Sequence, residues 1–172
     1  GKTGHSVIRH LLARGWQVSA TDTRRAPPGL EELKAMAPGL RIALGGLDVG
    51  LLADVDYVVA SPGLPQSDPF FVAARSLRVP VIGDIELFAR GNPGRVAGIT
   101  GTNGKSTVTS LLALMGQRAG LATRAGGNLA PPALDLLEGA PADLYVLELS
   151  SYQLETTVSL QLAAATVLNV TP

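Results

Sequence analysis

Apolar residues recur at helical spacing near the start of the chain, at Val7, Ile8, Leu11 and Leu12, and Gly15 follows as a stop, so a helix is predicted there. From Trp16 to Thr21 the pattern changes to alternation, which predicts a strand. Further strands are predicted at 41–44, 56–60 and 79–82, with helical segments at 30–36 and 69–77 between them. Past the breaker cluster Gly91-Asn92-Pro93-Gly94 the pattern predicts a strand at 95–100 and a helix at 106–118, then a glycine turn at 126–128 and a helix at 132–137. Strands are predicted to close the chain at 144–149 and 164–169. Helix and strand alternate, so the expected class is α/β with parallel sheets, and the breaker cluster divides the chain into domains 1–91 and 92–172.

Between the strand at 95–100 and the helix after it lies Gly101-Thr102-Asn103-Gly104-Lys105-Ser106-Thr107. A glycine-rich turn of this kind frees backbone N–H groups to wrap phosphate oxygens. Its lysine can reach the outer phosphates, and Ser106 or Thr107 can ligate magnesium at the helix N-terminus. ATP or GTP is therefore the expected ligand. The loop departs from the usual G-x-x-x-x-G-K-[ST] pattern, which would have glycine where Ile99 stands.

Composition narrows the field. The 172 residues are 46% hydrophobic with a formal net charge of zero, enough for two compact cores and without the basic stripe of a nucleic-acid binder. No apolar run approaches the roughly 18 residues of a membrane span. Cysteine is absent, which removes disulfides and thiolate metal sites, and a cytoplasmic setting is expected. His5 and His10 read as ordinary helix residues, and Ser151 lacks the G-x-S-x-G surroundings of a hydrolase nucleophile.

Other polar positions fall at predicted strand ends. Gly1-Lys2-Thr3-Gly4 reads as the end of a G-x-G-x-x-G turn whose preceding strand is missing, giving a Rossmann-like first domain. Asp22 ends the second element, where an acid contacts a ribose hydroxyl or base, or serves as a cap. Ser61-Pro62-Gly63 ends another strand and is either a ligand-facing turn or a plain one. Glu148 sits among apolar strand neighbours, which suits an acid that completes a magnesium site, or one on an exposed sheet face. Ser150, Ser151, Tyr152, Gln153 and Glu155 crowd polar groups into the turn behind it.

The phosphate loop from Thr100 to Thr107 resembles that of the Mur ligases and their folylpolyglutamate synthase relatives, where Ile99 is no anomaly. More narrowly, Gly83-Asp84-Ile85-Glu86-Leu87-Phe88, Gly127-Asn128 and the run from Leu147 to Thr156 are similar to the branch of that family that adds D-glutamate. The resemblance implies an ATP-dependent amide ligase. It joins D-glutamate to UDP-N-acetylmuramoyl-L-alanine through an acyl phosphate, in peptidoglycan precursor synthesis, with ATP and Mg2+ as cofactors and a monomeric, cytoplasmic protein.

By the same resemblance, Gly101, Thr102, Asn103, Gly104, Lys105, Ser106 and Thr107 bind ATP, with Lys105 and Glu148 catalytic and Ser106 and Glu148 on the metal. Thr3, Asp22, Thr23, Arg24, Ser61, Pro62 and Gly63 cradle the uridine diphosphate. Asn128 touches the muramoyl substrate, and Ser150, Ser151 and Gln153 count among the residues that bind the UDP-linked substrate. The domains thus become a UDP-substrate-binding domain, 1–91, and an ATP-binding domain, 92–172. A first strand, a second metal-ligand segment, a modified lysine and a third domain are expected to lie outside this chain, leaving it inactive by itself. The alternatives are a sister ligase taking another amino acid or a folate, and a non-catalytic module that binds a UDP-sugar or ATP.

Overall fold

A computed structural model of the chain describes residues 1–91 and 94–171. It divides into two compact units, 1–82 and 83–172. The break falls one helix earlier than the expected 91/92 division. Asn92 and Pro93 of the breaker cluster lie outside the described residues.

The first unit opens with helix α1 (Lys2–Leu12), which buries Val7, Ile8 and Leu11. Gly15, at φ 77°, turns the chain out of it. Strand β1 (Ser19–Asp22) starts later than the alternation predicts: Trp16 is exposed and meets Tyr57 edge to face at 5.5 Å instead. Helix α2 (Leu30–Met36) leads to β2 (Arg41–Leu44), which pairs in parallel with β1. A 3-10 turn at Val49–Leu52 precedes β3 (Val58–Ala60), and α3 (Pro69–Ser76) leads to β4 (Val81–Gly83), the neighbour of β3. Asp68 caps α3 by accepting from the Phe70 N–H, and Pro69 begins it, a pairing suited to a helix start. Phe70, Phe71 and Ala74 pack with Leu52 and Ala60 as the core. The strands form two separate pairs, β1 with β2 and β3 with β4.

The second unit opens with α4 (Asp84–Gly91), a helix the periodicity did not single out because Asp84 to Phe88 are all buried and leave no polar face in its first turns. The central sheet has order β6-β7-β5-β8 and is parallel throughout, formed by β5 (Arg95–Thr100), β6 (Thr123–Gly127), β7 (Leu144–Glu148) and β8 (Ala164–Val167). Helix α5 (Lys105–Arg118) covers it, and Ile99, Ala113 and Val146 form the core between them. The expected glycine turn at 126–128 is largely the end of strand β6. The expected helix at 132–137 is a 3-10 turn, Ala133–Leu137. The polar turn behind β7 contains a short helix, α6 (Ser151–Leu154).

Candidate functional site

The loop from Gly101 to Gly104 joins the C-terminal end of β5 to the N-terminus of α5. Gly104 caps the helix in the left-handed region, at φ 82°, a conformation a residue with a Cβ resists. No side chain caps α5, so its first-turn N–H groups and the positive end of its dipole face outward at the loop. Lys105 folds over that loop. Its Nζ donates to the Gly101 carbonyl at 2.7 Å and to the Thr102 carbonyl at 3.0 Å, which holds a positive charge above the loop backbone.

The next residue reaches across the sheet. Ser106 Oγ donates to Glu148 Oε2 at 2.6 Å, and Asn128 Nδ2 donates to Glu148 Oε1 at 2.6 Å. One carboxylate thus joins the first turn of α5 to the end of β6. Glu148 is only 3% exposed, whereas Ser106 and Asn128 are exposed. Burial of an acid among apolar strand neighbours is tolerable here because both oxygens are bonded. Gly127 makes the approach possible. It lies at φ 106°, and a Cβ on it would stand 2.5 Å from the Glu148 carbonyl oxygen, which accepts from the Asn128 N–H.

The far edge of the loop is fastened by a residue that the sequence reading left out. Asn103 N–H donates to Asn169 Oδ1 at 2.8 Å, and Asn169 Nδ2 donates to the Asn103 carbonyl at 3.0 Å. The Thr102 N–H bonds the Asn169 carbonyl at 3.0 Å, and the Thr171 N–H bonds Thr102 Oγ1 at 3.2 Å. The only sequence signal for Asn169 was its place at the end of the strand predicted over 164–169, a strand that in the structure stops at Val167.

Serine and carboxylate oxygens side by side at a helix N-terminus are hard donors of the kind magnesium takes together with phosphate oxygens. Among the described residues no group of three or more His, Cys, Asp or Glu is placed to hold a metal without such help. Ser106 and Glu148 therefore fit a metal carried by a nucleotide. Thr107 follows on the exposed side of α5.

Behind Glu148, Ser150 caps α6 by accepting from the Gln153 N–H, while the Gln153 side chain accepts from the Ser150 N–H. Ser151 is exposed. Gln153 is buried, with Nε2 donating to Asp84 Oδ2 at 3.0 Å, so its amide is spent within the protein. Two residues after Asp84 on α4, Glu86 accepts from the N–H groups of Val158 and Ser159, each at 2.8 Å, from Ser159 Oγ and from Arg90. Burial alone would raise the Glu86 pKa, but these donors outweigh it and hold the group at about 2. The bonds from Asp84 and Glu86 to residues 153–159 explain why α4 belongs to the second unit.

In the first unit, Asp22 ends β1. Its carboxylate receives the Arg24 N–H at 3.0 Å, Arg24 Nε at 2.9 Å and Nη2 at 2.8 Å. The guanidinium bonds hold its pKa at about 2. A Cβ on Gly1 would stand 3.9 Å from Arg24 Nη2, so the first turn of α1, which carries Thr3, adjoins this pair. Thr23 is exposed beside them. Ser61, Pro62 and Gly63 form an exposed turn after β3, on the other strand pair.

No helix among the described residues is long and apolar enough to cross a membrane. Residues 1–83 match the N-terminal domain of MurD-like Mur ligases, and residues 99–172 match the Mur ligase middle domain. The UDP-N-acetylmuramoylalanine--D-glutamate ligase of Nitrosococcus oceani is 52% identical over 172 residues, taking in 100% of this chain and 38% of that protein. Its counterpart from Marinobacter nauticus is 48% identical over 170 residues, 99% of this chain and 38% of that one. The chain thus spans about 38% of the length of these curated relatives. The crystal structure of UDP-N-acetylmuramate:L-alanyl-gamma-D-glutamyl-meso-diaminopimelate ligase from Neisseria meningitides shares the fold. Its TM-score is 0.60 at 19% identity, with 99% of this chain and 58% of that one covered. With its two stretches matching two domains of one family, and relatives of that family aligning along its whole length, the chain belongs to the Mur ligases.

Proposed function

We propose that this chain is the UDP-substrate-binding and ATP-binding part of an amide ligase that adds D-glutamate to UDP-N-acetylmuramoyl-L-alanine. The observation that carries the reading is Glu148 bonded at once to Ser106 on the phosphate-loop helix and to Asn128. That arrangement brings a metal-ligating pair and a substrate-facing amide to one carboxylate.

In this reading the loop N–H groups from Gly101 to Gly104 and the α5 N-terminus hold the phosphates, Lys105 offers its charge to the outer ones, and Thr107 adds a hydroxyl. Ser106 and Glu148 would hold magnesium, which supplies neutralisation of charge on the phosphates. The γ-phosphoryl group passes to the muramoyl-alanine carboxylate, releasing ADP. The amine of D-glutamate then attacks the acyl phosphate, forming the amide and releasing phosphate and a proton. Catalysis by the groups on this chain is positioning and charge stabilisation, with no covalent bond to the protein. Asn128, Ser150 and Ser151, with Gln153 behind them, orient the muramoyl end. Thr3, Asp22, Thr23, Arg24, Ser61, Pro62 and Gly63 take the uridine diphosphate. We place the protein in the cytoplasm as a monomer, where ATP and nucleotide-linked precursors are available.

Calorimetric titration of UDP-N-acetylmuramoyl-L-alanine into the chain, with UDP-glucose as comparison, tests the substrate class. Selective binding of the muramoyl compound is expected. Equal affinity for both would reduce the first unit to a general UDP-sugar binder, and absence of binding in a folded sample would refute the substrate assignment.

A further inference from the structure

Asp84 is 2% exposed and Gln153 3%, and they meet through one hydrogen bond of 3.0 Å from Gln153 Nε2 to Asp84 Oδ2. The other Asp84 oxygen, Oδ1, is buried and without a hydrogen-bond partner. A buried acid half satisfied in this way is costly, and burial raises its pKa. Anchorage of the segment after α6 does not require it. Glu86 supplies that, through Val158 and Ser159.

A carboxamide has a donating end and an accepting end, and only the partners decide which way it points. Gln153 Oε1 accepts from the Ser150 N–H at 3.1 Å and from Ser150 Oγ at 3.3 Å. Were the amide reversed, its NH2 would face the Ser150 N–H, donor against donor. Asp84, offering an acceptor to the opposite end, selects the orientation that holds Ser150. Ser150 stands two residues after Glu148 in the chain.

We infer that Asp84 is a positioning residue of the ligand site, fixing through the Gln153 amide the Ser150 turn that directly follows the Glu148 strand end. The inference rests on the proposed role of Glu148 and Ser150 in substrate and metal binding. Asp84 touches no ligand in this account. It sets the hydrogen-bonding direction of a residue that touches the turn.

The test is amide hydrogen exchange by NMR on the ligand-free chain. Asp84→Ala is expected to accelerate exchange at Ser150 by about tenfold or more while Val146 and Leu147, in the sheet, stay within about twofold. Asp84→Asn, which can still turn a carbonyl toward Gln153, restores protection. Unchanged exchange at Ser150, or equal acceleration at Ser150, Val146 and Leu147, would overturn the inference. If Asp84→Ala does not fold, Gln153→Met must show the same selective loss, and failure of both to fold marks the pair as a stability element and overturns positioning. Affinity for UDP-N-acetylmuramoyl-L-alanine supplies the second readout, expected to fall about tenfold in Asp84→Ala and to recover in Asp84→Asn. Selective exchange with unaltered affinity would overturn the link to the ligand site. A wild-type chain that shows the selective exchange and binds no muramoyl compound would sink the substrate reading and leave the clamp standing.

Discussion

Ser106 and Glu148 share a 2.6 Å hydrogen bond across 42 positions of sequence, tying the start of the phosphate-loop helix to the end of a neighbouring strand. The parallel sheet makes this meeting possible. Ile99, just before the loop, is in register with Glu148, so the loop and the acid emerge at the same edge.

Lys105→Ala is expected to weaken ATP binding by tenfold or more, about 1.4 kcal/mol at the least. Affinity for the UDP-linked substrate should change by less than about twofold, because its proposed uridine diphosphate contacts lie in the other unit and Lys105 is not among its proposed muramoyl contacts. Parallel calorimetric titrations check this, and loss of both affinities together would contradict the separation of the sites.

Asn169→Ala removes both bonds that Asn103 makes with that side chain. The chain should lose about 1–2 kcal/mol in stability and ATP affinity should drop about tenfold as the loop loosens. Asn169→Asp keeps the acceptor for the Asn103 N–H but places a negative charge against a phosphate loop. Lacking the donor to the Asn103 carbonyl, it should be less stable than the parent, and it should bind ATP more weakly than Asn169→Ala. Denaturant melts and nucleotide titrations separate the two effects.

The phosphate loop, β5, α5 and β7 were legible because each announces itself locally: an apolar strand, glycines, one lysine, then a long apolar helix. Asn169 was not, since a lone asparagine closing a predicted strand carries no signal of its own until the fold brings Asn103 against it. Strand β6 was hidden for a related reason. Gly126 and Gly127 signal a turn by composition, yet both lie in a strand where glycine permits close approach, in one case to Glu148. Helix α4 escaped notice because its acids, Asp84 and Glu86, point inward. A polar-outside rule then misreads a buried helix, and only the partners at 153–159 reveal why the acids are there.

Two glycine substitutions should behave differently. A Cβ at Gly83 would stand 2.2 Å from Thr156 Oγ1, a side-chain atom, whereas one at Gly127 would meet the Glu148 backbone oxygen at 2.5 Å with φ at 106°. Gly83→Ala should destabilise by roughly 2 kcal/mol and recover in part when combined with Thr156→Ala. Gly127→Ala, blocked by backbone and strained in φ, should cost roughly 2–3 kcal/mol with no side-chain rescue nearby. Thermal unfolding of the single and double variants gives the comparison.

The acid limb of stability should report on Glu86. Its folded pKa of about 2 lies below the ordinary 4.5, so its contribution is fully present above pH 4.5 and is lost as pH falls toward 2. The loss should be on the order of 3 kcal/mol. Glu86→Gln should flatten stability across that window while lowering it at neutral pH. Asp22, also held at about 2, acts in the same direction but at the surface, where Arg24 is worth less, and Asp84 acts with the opposite sign. Both are unchanged in the comparison, and urea midpoints from pH 6 to 2 measure the difference.

The most direct test of the central claim is calorimetric titration of ATP into the chain with and without magnesium, repeated with Glu148→Gln. The account predicts that magnesium tightens ATP binding to the wild type by tenfold or more and that this gain disappears in the variant, which keeps its magnesium-free affinity. An equal magnesium gain in both proteins, or a folded wild type indifferent to magnesium, would contradict the assignment of Ser106 and Glu148 to the metal.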